Sequence, residues 1–178
     1  MHPRIQEVLD HLDTNRAALE QAIASVPSDM RSARPAPDKW SVAEVIDHLA
    51  TVETRVDTLL VGEIAKAKAN GIPAESESSA VVKEQLTGRL LDRSQPLVAS
   101  EASQPKGVAF DVSWTTLTDM RRQLRDAIIS ADGLALGDVR APHPRLGEIT
   151  LYEWIAFLGA HEARHAEQIR EVSAVVGG

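Results

Sequence analysis

Residues 150–170 read TLYEWIAFLGAHEARHAEQIR, and this stretch indicates the architecture of the whole chain. Thr150 and Glu153 have the spacing of a capping box, in which each side chain bonds the backbone N–H of the other residue. Apolar residues then recur at intervals of three and four, from Trp154 through Leu158 to Val172. The pattern predicts a long helix that begins after Thr150, continues to the C-terminal glycines and buries one face.

The same opening device occurs earlier, in residues 40–49, WSVAEVIDHL. Ser41 and Glu44 form the capping box, and Trp40 and Val45 stand where a hydrophobic staple would place them. An apolar stripe continues over positions 45–64 toward Asn70-Gly71, a typical helix end. The sequence therefore predicts a second long helix of about 40 Å, at about 1.5 Å per residue.

Two further stretches have helical periodicity. One follows Pro3 and ends near Val26, and the other runs from Ser113 to Ala131. Residues 71–112 lie between the second predicted helix and the stretch that starts at Ser113. They carry three of the prolines and a Ser/Glu-rich patch, and we interpret them as a long connection in which Val81 to Leu91 could form a short helix. Four amphipathic helices with no convincing strand predict an all-α fold, a four-helix bundle with a long crossover between helices two and three. We expect a single domain over residues 1–178.

The amino-acid composition disfavours or excludes several classes of function. The 178 residues are 43% hydrophobic and carry a formal charge of -7, and no basic cluster interleaved with aromatics is present, so nucleic-acid binding is disfavoured. The absence of cysteine excludes disulfides, thiolate-ligated metals and a cysteine nucleophile. Neither a signal peptide nor a membrane span is indicated, so we expect a soluble cytoplasmic protein with no membrane partner.

Three histidines fall on helix faces that should point inward. His48 shares the apolar stripe of the second helix, and His161 and His165 extend the stripe of the last one. An i, i+4 pair places two ring nitrogens one turn apart on the same face, and His48 would add a third nitrogen ligand. Three neutral ligands with one open position are typical of a catalytic site for a divalent metal, whereas structural zinc usually has four protein ligands.

Neighbouring polar residues are candidates for supporting roles. Glu44 could receive the second ring proton of His48, although its capping box already accounts for it. Gln168, one turn beyond His165, is a candidate partner of that ring. Glu162 lies about 100° round the helix from His161; it is either solvated or, if the site opens toward it, a base at the metal. His143 is expected in a turn of the loop before the last helix.

The histidine-bearing segments also fit three alternatives to this site. HEARH at 161–165 matches the HExxH of zinc proteases, but Gln168 and Glu171 stand where the extended metzincin motif has Gly and His. A carboxylate-bridged di-iron site needs two Glu-x-x-His motifs, and only Glu162 to His165 fits. A metal-free bundle with hydrogen-bonded core histidines is the third alternative. His2 and His11 are expected at the surface.

Residues 40–49 resemble the second-helix motif of the DinB-like, or YfiT-like, metalloenzymes. His143-Pro144 through Gly147, Trp154 and residues 161–169, HEARHAEQI, resemble the final helix of the same superfamily. The resemblance implies a four-helix bundle with a long crossover, often a homodimer, that holds zinc or nickel on three histidines, here His48, His161 and His165. Members with an assigned chemistry include bacillithiol S-transferases and mycothiol-dependent maleylpyruvate isomerases.

The resemblance implies an enzyme that transfers a low-molecular-weight thiol cosubstrate to a small electrophilic substrate. The same kind of site could instead generate hydroxide from water, which would make the protein a hydrolase. A third hypothesis is a non-catalytic metal-binding stress-response protein in which the ion fastens helices two and four. The residues alone do not choose among these.

Overall fold

The computed structural model describes residues 1–94 and 98–177 and places most of them in helices. The helices are α1 (Pro3–Ala24), α2 (Val42–Ala69), α3 (Glu84–Leu91), α4 (Phe110–Ser130) and α5 (Leu151–Val176), and the strands are β1 (Arg140–His143) and β2 (Gly147–Thr150). The four predicted helices correspond to α1, α2, α4 and α5. Pro96 and Gly178, which mark the connection and the C-terminus in the sequence, lie outside the described residues.

Both predicted capping boxes are formed. Ser41 and Glu44 bond each other's backbone N–H at the start of α2, and Thr150 and Glu153 do the same at the start of α5. Each box satisfies two of the backbone donors that a helix N-terminus leaves without partners. These two helices carry the three histidines. The caps therefore fix the start of each helix relative to its histidines.

The long helices form a bundle with the predicted crossover. Helices α1 and α5 are parallel, because residue numbers rise together in both partners of their contacts: His11–Ala156, Arg16–Glu162 and Ser25–Ser173. Residue numbers also rise together in the contacts between α2 and α4, in the pairs Glu53–Arg121 and Lys68–Ser130. Because α2 and α4 are parallel, the chain between them must return along the whole bundle. The all-α bundle and its long crossover are therefore confirmed.

The crossover connection contains a shorter helix than the sequence predicts, and hydrogen bonds to α1 hold its first part. Helix α3 begins at Glu84 instead of Val81, and the N–H groups of Val81 and Val82 both donate to the Glu7 carboxylate. Arg4 also donates to Glu75, so α1 holds the first part of the connection at several points.

A β-hairpin that the sequence did not reveal precedes α5. Strands β1 and β2 pair antiparallel, with His143 opposite Gly147, and the Trp154 indole donates to Ala141 O. Each strand has four residues, which is too short for alternation of apolar and polar residues to be recognised. Gly147 has φ +72°, a conformation that glycine adopts without strain at a tight turn.

In the described part of the chain, the buried apolar residues form two clusters with charged residues between them. One cluster includes Leu12, Leu60, Leu124 and Leu158, and the other includes Leu19, Leu49, Leu117 and Ile169. Five charged side chains lie where each long helix passes from one cluster to the other, and we call them the central polar layer: Arg16, Glu53, Asp57, Arg121 and Glu162. None of the described helices has a stretch long and apolar enough to cross a bilayer.

Replacing Gly159 with alanine is expected to destabilise the bundle by about 1–3 kcal/mol, the usual range for overpacking. A Cβ at this position would lie 2.5 Å from the His11 ring, which donates from Nε2 to Ala156 O, so α1 and α5 would have to separate. Gly62, inside α2, is the control, because a Cβ there meets nothing within 4 Å. Gly62→Ala should instead stabilise by about 0.5–1 kcal/mol, since alanine favours helix. Urea unfolding measures both; equal effects would contradict the packing described.

Candidate metal centre

Three imidazoles from two helices meet inside the bundle. The His161 Nε2 atom lies 3.3 Å from His48 Nε2 and 3.2 Å from His165 Nε2, and the candidate ligand atoms of all three lie within 4.8 Å of one another. Zinc binds histidine nitrogen at about 2.0–2.1 Å, so two such nitrogens on a tetrahedral ion are about 3.3 Å apart. The two close separations therefore match the edges of a tetrahedral coordination sphere.

Hydrogen bonds on the far side of two rings fix their tautomers. His48 Nδ1 donates to Ser103 O at 2.6 Å, and His165 Nδ1 donates to Gln168 Oε1 at 2.8 Å. With the proton on Nδ1, each Nε2 presents a lone pair toward His161. Only one of the two can accept the proton of His161 Nε2, so without a cation the other lone pair has no donor at this point. A cation at this point satisfies all three nitrogens, and the donor set therefore fits a bound metal.

The environment keeps the three rings neutral. Burial lowers the pKa of His48, lowers that of His161 to about 3, and lowers that of His165 well below its usual value. After burial, the neighbouring imidazoles contribute most to the lowering for His161 and His165. Neutral imidazole is the form that binds a metal, so the site is ready for a cation at neutral pH.

Aromatic rings close the site around the imidazoles. The Trp40 ring centroid lies 5.0 Å from that of His48, and the Phe157 ring stacks on His161 at 5.5 Å with an interplanar angle of 11°. His48, His161 and His165 keep only 5%, 8% and 7% of their surfaces exposed. Water therefore has little access to the nitrogens, which strengthens any charge interaction there.

Among the described residues, the group of side chains close enough to share one ion has three members, all of them histidines. Imidazole suits zinc, nickel, copper and iron, whereas magnesium and calcium prefer oxygen. Three nitrogens can therefore hold a divalent transition metal and leave one tetrahedral position for a small molecule.

Glu44, a candidate partner of His48 in the sequence, is occupied elsewhere. Its carboxylate accepts from Ser41 N and from the Arg34 guanidinium, and the His48 ring proton goes to Ser103 O instead. The reason is positional, because the capping box turns Glu44 back toward the start of α2. Gln168, the other candidate, does lie against the His165 ring.

Glu162 is fully buried, so the expectation of a solvated side chain is wrong. Its Oε1 atom accepts from Arg16 Nε at 2.8 Å and lies 3.3 Å from Arg121 Nη2. The side chain faces α1 and α4, as part of the central polar layer. Its action as a base at the metal stays a prediction, and its contacts with Arg16 and Arg121 argue against it because they hold the carboxylate toward α1 and α4.

The other histidines have structural contacts. His143 Nδ1 accepts from Arg145 N and Leu146 N, which is the turn chemistry that its position suggests. His2 caps α1 by accepting from Arg4 N. His11, expected at the surface, is instead half-buried against α5, because Gly159 leaves room for its ring.

Two features of the site region were not anticipated from the sequence. The Ser103 carbonyl comes from the crossover connection, and no pattern in that stretch points to it. The central polar layer did leave a signal. Each long helix carries a charged residue at an apolar-stripe position: Arg16 between Leu12 and Leu19, Glu53 between Leu49 and Val56, Arg121 between Leu117 and Leu124, and Glu162 between Leu158 and Ala166.

The central polar layer should make stability depend on pH. Burial raises the pKa of Asp57 from its ordinary 3.8 to about 7, and neither carboxylate oxygen has a hydrogen-bond partner among the described residues. The folded state thus binds this proton more tightly than the unfolded chain. The contribution of Asp57 to the free energy of unfolding is therefore present below about pH 4. It falls by up to about 1.4 kcal/mol per pH unit as the pH rises toward 7.

Asp57→Asn removes this contribution, so the variant should gain stability relative to the wild type as the pH rises from 4 to 7. Urea unfolding of chelator-treated protein at several pH values measures the difference and cancels the histidine titrations common to both. Asp126→Asn, which changes an exposed carboxylate on α4, is the control and should follow the wild type. A constant difference between Asp57→Asn and the wild type would contradict the assignment.

Comparisons with known proteins agree with the fold. A sequence model of the DinB superfamily matches residues 11–169, a range that contains all three histidines. The chain is 27% identical over 162 residues to the uncharacterized protein YuaE of Bacillus subtilis strain 168, covering 89% of this chain and 93% of the relative. The crystal structure of TT2238, a four-helix bundle protein, superposes with a TM-score of 0.57 over 94% of this chain and 98% of the other at 19% identity, which shows a shared fold.

Proposed function

This chain belongs to the DinB superfamily, and on that premise we propose that it is a metal-dependent enzyme that transfers a low-molecular-weight thiol to a small electrophilic substrate. The observation that supports catalysis is the three-membered ligand group, made of imidazoles alone. A metal that only fastens helices usually has four protein ligands, whereas three ligands leave a position for a reactant. The thiol chemistry is supported by the resemblance of the two histidine-bearing segments to thiol-dependent members of the superfamily.

In this proposal His48, His161 and His165 would hold zinc or nickel through their Nε2 atoms. Such a cation, with no anionic ligand to neutralise it, would lower the pKa of a thiol or water bound beside the imidazoles. Ser103 O and the Gln168 side chain keep two of the rings in the tautomer that this requires. The Trp40 and Phe157 rings exclude bulk water and give a small electrophile an apolar surface to approach.

The resemblance to the superfamily also supports a homodimer as the working form. Multi-angle light scattering on the purified protein tests the dimer: a mass near twice 19.3 kDa is expected, and a mass near 19.3 kDa would contradict it.

Turnover of a thiol with a generic electrophile tests the reaction. The protein is purified without a metal-affinity tag, loaded with zinc or nickel, and assayed with bacillithiol, mycothiol, cysteine and glutathione against 1-chloro-2,4-dinitrobenzene and monochlorobimane. We expect metal-dependent conjugation with at least one thiol, and its loss after chelation. Glu167→Ala, which changes an exposed residue of α5 between His165 and Gln168, is the matched control and should retain activity.

Different results would separate the competing functions. Metal-dependent hydrolysis of esters or amides without thiol conjugation would contradict thiol transfer and favour the hydrolase. A stoichiometric metal with neither reaction, and with a fourth protein ligand in the crystal structure of the metal-loaded protein, would favour the non-catalytic metal-binding protein.

A further inference from the structure

Part of the crossover connection is held against the first turns of α2 by a buried carboxylate. Asp47 is 2% exposed, and its Oδ2 atom accepts from Lys106 N at 2.6 Å and from Val108 N at 3.1 Å. A buried carboxylate is expensive to desolvate unless it is hydrogen-bonded, and here the two donors are backbone N–H groups. Asp47 therefore fixes residues 106–108, just before α4.

The same segment supports a candidate metal ligand. Ser103 O, three residues before Lys106, accepts the ring proton of His48, the residue next to Asp47 in α2. About two turns further along α2, Arg55 donates to Ala102 O at 3.0 Å. Consecutive residues of α2, Asp47 and His48, thus hold the two ends of residues 103–108.

Geometry couples the two ends. Three residues span at most about 10 Å when extended, so a chain fixed at residue 106 keeps the Ser103 carbonyl within that distance of the anchor. Without the Asp47 carboxylate, the N–H groups of residues 106 and 108 would turn toward solvent to find acceptors. The carbonyl would then no longer be held at the His48 ring, whose proton could move to either nitrogen.

We propose that Asp47 is a positioning residue of the metal centre: it fixes residues 103–108 so that Ser103 O holds the His48 proton on Nδ1 and leaves Nε2 free to bind a cation. The role of Asp47 in metal binding rests on the proposed metal site. Its effect on the His48 tautomer applies to the metal-free protein as well. Ser103 lies in the stretch that carries no recognisable motif, so the connection contributes to the centre through backbone atoms.

The chain offers a matched control for this role. Glu7 also accepts two backbone N–H groups of the connection, those of Val81 and Val82, both at 3.0 Å. Glu7→Ala therefore removes the same kind of anchor at the other end of the same connection. A general loosening of the connection would affect both variants, whereas positioning of His48 is specific to Asp47.

The test uses the full chain with Asp47→Ala, the milder Asp47→Asn and Glu7→Ala. Long-range ¹H–¹⁵N NMR of chelator-treated protein reports which His48 nitrogen carries the proton, and competition with a chromophoric chelator gives the Kd for zinc. We expect the wild type and Glu7→Ala to hold the proton on Nδ1. Asp47→Ala should lose this tautomer and bind zinc about 10–100-fold more weakly, a typical effect for partners of metal-binding histidines.

Asp47→Asn keeps one carboxamide oxygen as acceptor, so it should fold and show an intermediate effect even if Asp47→Ala does not fold. The inference is overturned if Asp47→Asn and any folded Asp47→Ala keep the wild-type tautomer and zinc affinity, or if Glu7→Ala loses both to the same extent. Failure of the proposed function has a different signature: the wild type would not bind zinc, while the His48 tautomer would still show whether Asp47 positions that ring.

Discussion

Replacement of Arg121 by methionine is expected to lower the free energy of unfolding by about 3–5 kcal/mol, the range for breaking a buried ion pair. Arg121 is 5% exposed, and its Nη2 atom lies 2.9 Å from Glu53 Oε2 and 3.3 Å from Glu162 Oε1. Burial alone would lower the pKa of Arg121, but Glu53, Glu162 and Asp57 together raise it. Without Arg121, three buried carboxyl groups would have Arg16 as their only guanidinium in the central polar layer.

Arg122→Met is the matched control, because Arg122 is exposed and pairs with Asp119 one turn earlier. Its effect should stay within about 0.5 kcal/mol, as is usual for surface pairs. Adding Glu53→Gln to Arg121→Met should restore part of the lost stability, since it removes a buried carboxyl group left without its Arg121 partner. Equal stability of Arg121→Met and Arg122→Met in urea would show that the central polar layer is not formed as described.

His161→Ala is expected to abolish stabilisation by zinc. His161 is the candidate ligand whose Nε2 atom lies close to both of the others, so its removal leaves His48 and His165 on different helices with no nitrogen between them. At a zinc concentration about 100 times the Kd, a folded protein with one site gains about 2.7 kcal/mol over its metal-free form. Thermal unfolding with and without zinc should show this gain in the wild type and none in the variant.

His143→Asn is the control for loss of a histidine. His143 contacts the Phe157 and Trp154 rings, but its Nδ1 accepts turn N–H groups, and asparagine can serve the same turn. This variant should retain the zinc-dependent gain. Retention of the gain in His161→Ala would instead place the metal elsewhere.

Most of the fold could be predicted from local sequence patterns. Capping boxes and a periodicity of three to four residues depend on neighbours in the chain, so Ser41, Glu44, Thr150 and Glu153 marked the histidine-bearing helices correctly. The ends were less certain: α4 starts at Phe110, earlier than Ser113, and Phe110 stacks on Trp114 there. Helix α1 ends at Ala24, before the expected Val26.

The contacts that the sequence did not reveal are non-local. Which acceptor receives the His48 ring proton depends on where a connection of about forty residues returns to α2, and that path is set by bonds from Glu7, Arg4 and Asp47. The burial of Glu162 required Arg16 and Arg121 on two other helices. Considered on its own helix, Glu162 had no reason to be interior. Arg16, Glu53 and Arg121 also stand at apolar-stripe positions of their helices, and together with Glu162 they indicate a polar layer across the bundle.

Metal content tests the central claim most directly. Elemental analysis is made on protein purified without a metal-affinity tag, for the wild type and for His161→Ala. If imidazoles from α2 and α5 share one cation, the wild type should carry about one zinc or nickel ion per chain and the variant almost none. Trace and equal amounts in both proteins, even after incubation with zinc and gel filtration, would contradict it and leave a bundle whose three histidines bind only one another.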